Sequence, residues 1–216
     1  MIDDDSRTNL SSLSVGVVRG LEPNVIRHTR SLGSLPKELT DGMHDAWGKS
    51  FPGGKSQEHG GLLATEKDGS HKWKPGASGT SGTFQPNYGD IGADEKLAAS
   101  GHTHPYDASE GGMTDVAFSG PDLANLVWQS ERVKVVRSGD AMFMVTKTAE
   151  FEKLVQGKKT PADREAMQTE MKKTWNDTFA GAKGKFVERV EAAVKAVCSK
   201  YHLVFYKGKN DQVSKA

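Results

Sequence analysis

Two histidines flank a single residue in the run His102-Thr103-His104-Pro105. On a β-strand, residues two apart project to the same face, so both imidazoles can reach one metal ion. Neutral imidazole suits zinc, and a catalytic zinc takes three protein ligands and keeps an open position for water. The third ligand should be a histidine or a carboxylate brought in from nearby, with a general base or acid beside the attacking water. Two carboxylates answer these needs. Asp122 falls at the start of an expected helix, and Glu58 opens an expected strand ahead of Gly60-Gly61. Ser119, three residues before Asp122, lies on the same side of a helical first turn and can donate a hydrogen bond to a developing oxyanion. Taken singly, each piece has a plainer reading: solvated strand histidines, a surface glutamate, a Ser-x-x-Asp helix cap. Their order along the chain carries the chemical reading.

That order, Glu58 before Gly60-Gly61-Leu62-Leu63, then His102-Thr103-His104-Pro105, then Ser119-Gly120-Pro121-Asp122, resembles the JAMM metallopeptidases, also called the MPN-plus or JAB-like family. The resemblance covers roughly residues 35–147. It implies that His102, His104 and Asp122 bind Zn2+, that Glu58 is the acid/base acting on the water, and that Ser119 helps stabilise the tetrahedral intermediate. The bond cleaved would be a peptide or isopeptide amide, in a protein or peptide substrate. One departure stands out: fourteen residues separate His104 from Ser119, twice the family's usual gap. Asp115 sits at the usual distance and is the alternative third ligand, but Gly112 then occupies the serine position. Asp122 is preferred because Phe118-Ser119-Gly120-Pro121-Asp122-Leu123 supplies the cap and helix that place a carboxylate, and a longer loop costs little closure entropy.

JAB-like domains of bacterial toxins and secretion effectors also resemble this stretch, including a loosened loop before Phe118-Ser119. That points to a secreted effector or toxin, with an immunity protein or a chaperone of the secretion machinery as partner. The alternatives are a catalytically silent MPN-like interaction module and a housekeeping peptidase that processes a ubiquitin-like or other small tagged protein.

The elements that must position these residues read as α/β. The resemblance implies a curved mixed sheet flanked by helices, with a helical C-terminal extension. Leu39, Met43, Ala46 and Trp47 recur at helical spacing after Pro36. Asp68-Gly69 marks a hairpin turn between Glu58–Thr65 and a return strand at His71–Lys74. Residues 75–94 form a long Gly/Ser/Thr/Pro loop, of the kind that is functional when ordered. Lys96–Gly101 leads into the histidines as a strand. Ser119, Pro121 and Asp122 start a helix. Val133–Arg137 and Ala141–Thr146 pair around Ser138-Gly139-Asp140. Helices follow over Ala149–Gln156 and from Thr160, with helical spacing carried from Phe179 to Val197 through Gly181 and Gly184. His202–Tyr206 is a final strand candidate. The division is a flexible arm over 1–34, a catalytic core over 35–147 and a helical extension over 148–216.

Composition bounds the rest. The chain has 216 residues, 35% of them hydrophobic, enough for one core. Lys+Arg 29 against Asp+Glu 28 gives +1, so no nucleic-acid or membrane-surface partner is expected. No apolar run spans a membrane. Asp3, Asp4 and Asp5 replace the basic start of a signal peptide, so the chain reads as cytoplasmic when synthesised, with export by a route that needs no cleaved signal left open. Cys198 alone excludes an internal disulfide and a cysteine zinc cluster. It falls on an amphipathic stretch and reads as a buried thiol. Thirteen of the 24 glycines lie between Gly53 and Gly112, around the proposed site.

Overall fold

In the computed structural model, which describes residues 31–216, the strand-forming runs assemble into one eight-stranded sheet. Its strands are β1 (Ser31–Ser34), β2 (Gly60–Thr65), β3 (His71–Pro75), β4 (Lys96–Thr103), β5 (Val133–Ser138), β6 (Ala141–Lys147), β7 (Leu203–Lys209) and β8 (Gln212–Lys215). The order across the sheet is β1-β8-β7-β6-β5-β4-β2-β3. The helices are α1 (Lys37–Gly48), a short α2 (Gly120–Ala124), α3 (Ala149–Gly157), α4 (Pro161–Gly181) and α5 (Phe186–Lys200). The fold is therefore α/β, a mixed sheet flanked by helices. No described helix is long and apolar enough to cross a membrane.

The central strands are buried at every position, as strands covered on both faces should be. Alternate residues feed two cores. Met142, Met144, Val204 and Tyr206 pack with Leu39 and Met43 of α1. Phe143, Val145, Leu203 and Phe205 pack on the opposite face with residues of α2, α3, α4 and α5. Each fully buried side chain of this size contributes about 1.5–3 kcal/mol of transfer free energy.

One pairing breaks the antiparallel pattern. β4 and β5 run parallel, Ala99 opposite Val133 through Thr103 opposite Arg137. A parallel pair needs a crossover, and here residues 104–132 supply it with α2 inside. The crossover brings the carboxyl end of β4 and the start of α2 together, the position at which open α/β sheets commonly bind ligands.

Two expected elements differ in detail. Glu58 precedes β2 instead of opening it: Gly60 pairs with His102, whereas Glu58 N–H donates to Thr80 O and Glu58 O accepts from Gly79 N–H, both at 2.8 Å. The helical run from Phe179 to Val197 is broken between α4 and α5, where Gly184 takes φ 108°. The two helices then pack against each other, sharing Phe179 and Phe186 in an edge contact at 5.6 Å.

The last third of the chain adds more than helices. Leu203 to Lys209 pair with β6 along its whole length, and β8 extends the sheet further. Nearly all of the expected 1–34 arm lies outside the described residues; its last four form β1 and pair with β8. Cys198 is buried, and burial pushes its thiol pKa up, as an inert structural thiol requires.

Gly60 is fixed by its neighbours. A Cβ there would lie 2.1 Å from Gly101 O and 2.8 Å from His102 Cα. Gly60→Ala should force β2 away from β4 and lower the urea midpoint by a stability loss of at least about 1–3 kcal/mol.

Candidate metal centre

His102 sits near the end of β4 and His104 one step beyond it, both buried. Their Nε2 atoms are 3.1 Å apart. Asp122, in the first turn of α2, faces both: Oδ1 is 3.1 Å from His102 Nε2 and Oδ2 is 3.1 Å from His104 Nε2. Among the described residues, these three form a His-His-Asp group that could hold a metal ion.

The donor chemistry fits a cation. His104 Nδ1 lies 2.9 Å from Ala117 O. A carbonyl only accepts, so Nδ1 carries the proton and Nε2 presents a lone pair to the cluster. A lone pair facing a carboxylate oxygen at this distance needs positive charge between them, either a proton or a metal. Four-coordinate zinc with Zn–N near 2.0–2.1 Å would hold its ligand atoms about 3.3 Å apart along each tetrahedral edge. The separations found here are close to that edge.

The charges respond to this packing. Burial favours neutral Asp122, but the two imidazoles outweigh it and hold the carboxyl well below the usual range. Burial lowers the pKa of His102. It also works against charged His104, but the hydrogen bond and charge of Asp122 win and raise that pKa.

Local structure fixes the third member of this group. Ser119 caps α2 in a capping box with Asp122: Ser119 N–H donates to Oδ2 at 2.8 Å, Ser119 Oγ donates to Oδ2 at 2.6 Å, and the hydroxyl lies 3.3 Å from Asp122 N. The plain cap and the site role are the same contact. The single hydroxyl proton is committed to Asp122 here, so the expected oxyanion role requires Ser119 to rotate away from it. Behind the cap, Trp175 of α4 donates its indole N–H to Phe118 O at 3.1 Å, with its ring against Gly120.

Asp115 is elsewhere. It is exposed, with φ 63°, and lines a separate groove of about 370 Å³ beside Phe143 and Val187. The longer loop therefore delivers Asp122 to the histidines and leaves Asp115 outside the cluster.

Glu58, His104, Ser119 and Asp122 line one cleft of about 340 Å³. Glu58 is buried, and its pKa is pushed up to about 7. Burial is the main cause and the charge of Asp122 adds to it, while His104 and Lys134 pull the other way. His59, its neighbour, has its pKa lowered by burial and then by Lys49, with Asp45 pulling the other way, and takes no part in the cluster.

Several residues of the site were not read from sequence. Ser81 to Gln85 form a wall of the cleft, and the Phe84 ring stacks on His102 at 6.3 Å with an interplanar angle of 11°. The signal available was an aromatic residue stranded in a glycine-rich polar loop. Tyr106 lines the cleft and meets Phe186 of α5 edge-on at 6.0 Å, so the helical third of the chain reaches the site. Lys134, a charge inside an apolar strand, is buried behind α2, its Nζ 3.3 Å from Asp122 O and 3.0 Å from Gln129 Oε1. No family model, no curated protein and no solved structure matches this chain.

Proposed function

We propose that the protein is a zinc-dependent hydrolase of amide bonds, peptide or isopeptide. The observation that supports this reading is the meeting, in one cleft, of the His102-His104-Asp122 donor set and a buried Glu58 with its pKa near neutrality. The order of these residues, which resembles that of the JAMM metallopeptidases, supports the same reaction class. Zinc, when bound, supplies Lewis acidity that polarises a carbonyl and acidifies a water. His102 and His104 would hold it by Nε2, and Ala117 O keeps His104 in the tautomer that would do so. Asp122 contributes the charge, oriented by Ser119. Glu58 takes the proton of the attacking water and passes it to the leaving amine, a task that suits a carboxyl titrating near neutral pH.

The proposal extends to use as a bacterial effector or toxin, on the strength of the loosened loop before Ser119 alone. Metal content tests the chemistry first. Protein purified near neutral pH without chelator should carry about one zinc per chain by elemental analysis. A chain that takes up no zinc under these conditions would be the silent interaction module instead.

A further inference from the structure

The loop of residues 76–94 that walls the cleft is tied down at both ends. At one end, Thr80 and Gly79 pair with Glu58 through their backbones, and Gln57 Nε2 donates to Gly79 O at 3.0 Å. At the other, Tyr88 Oη donates to Glu131, 2.9 Å from Oε1 and 3.2 Å from Oε2. Phe84, which covers His102, is suspended between these two anchors. Gly76 leaves the room it needs: a Cβ there would meet the Phe84 ring at 2.8 Å.

Glu131 is the unusual member. It has 0% exposure, and a buried carboxylate is costly unless its oxygens are hydrogen-bonded. Its other donor is Ser100 Oγ, at 2.7 Å. Ser100 lies two residues before His102 on β4, on the same face of the sheet. One carboxylate thus joins the strand that carries a metal ligand to the loop that covers it. Tyr88 keeps its proton for this bond, because burial and the charge of Glu131 both push the phenol pKa up.

We propose that Tyr88, acting through Glu131, is a positioning residue that holds Phe84 over His102 and so sets how fast the centre releases its metal. This rests on the metal-centre reading above. Removing the Tyr88 hydroxyl loosens that end of the loop, where Lys74 Nζ still donates to Asp90 O at 2.6 Å, and so lets the Phe84 ring leave His102 and opens the ligand to water and to competing chelators.

The test uses the full chain loaded with Zn2+, with transfer to a chromogenic chelator as the readout, and the Co2+-substituted protein for its visible d–d bands. Tyr88→Phe should release zinc about tenfold faster, at the lower end of what losing an outer-shell partner costs, and should shift the Co2+ bands. Phe84→Ala should release zinc faster to a similar degree. The double variant should be no faster than either single one, because both act through the same ring. A wild-type release rate and Co2+ spectrum in Tyr88→Phe would overturn the proposal. So would a double variant in which the two effects multiply. Wild-type protein that binds neither Zn2+ nor Co2+ would instead remove the metal centre itself, and the positioning role with it.

Discussion

Glu58→Gln should leave the zinc in place and lower amide hydrolysis by about 10²- to 10⁴-fold, the usual contribution of a positioned general acid/base. Glutamine matches glutamate in size, so the buried position beside Thr80 is refilled without a cavity. It removes only the ability to accept and return a proton. The buried site that raises the carboxyl pKa to about 7 penalises the charge, which the amide lacks, so the substitution should not destabilise the fold. The measurement pairs elemental analysis with mass-spectrometric scoring of a peptide and isopeptide-conjugate library. Full hydrolysis by the variant would show that another group moves the proton. Loss of zinc would show that Glu58 is itself a ligand.

The second large effect separates the two candidate third ligands. Asp122→Ala should weaken zinc binding by more than the roughly 10- to 100-fold that follows loss of an outer-shell partner, because it takes away the charge facing both imidazoles. It also removes half of the α2 capping box, worth about 1 kcal/mol. Asp122→Asn, which keeps an acceptor for Ser119, separates the two losses: it should retain most of the stability while still losing most of the zinc affinity. Asp115→Ala should bind zinc like the wild type and stay within about 0.5 kcal/mol of its stability, as an exposed residue outside the cluster. Competition titration against a chelator of known affinity, with thermal melts in parallel, reads all three. Zinc loss in Asp115→Ala with retention in Asp122→Ala would reverse the assignment.

The convergence of His102, His104 and Asp122 was legible because each depends on a short-range rule. Strand alternation puts the histidines on one face, and a Ser-Pro-Asp helix start aims the carboxylate. The turns at Gly69 and Gly139, both with positive φ, followed from equally local chemistry. What was not legible depends on partners far apart in sequence. Nothing near Phe84 says that it covers His102, and nothing near Tyr88 announces Glu131. The break between α4 and α5 was hidden because the apolar spacing continues across Gly181 and Gly184, and only packing of one helix on the other selects the turn. β8 is short and carries a single buried residue, Val213, too little pattern to read as a strand.

The pairing of β1 with β8 has a bearing on how the molecule is made. Residues 31–34 pair in the sheet with residues 212–214, so this edge of the sheet forms only after the ribosome has passed residue 214. The histidines and Asp122 emerge long before Trp175, which braces the Phe118 carbonyl ahead of the Asp122 cap. A nascent chain that ends after β6 already holds every proposed ligand, but not the brace or the outer strands. Such long-range pairings fold slowly, and during that interval the half-made sheet leaves unpaired the edge of β6 that β7 will join. An unpaired strand edge is what other strands pair with, so this interval is when the chain is most open to wrong pairing.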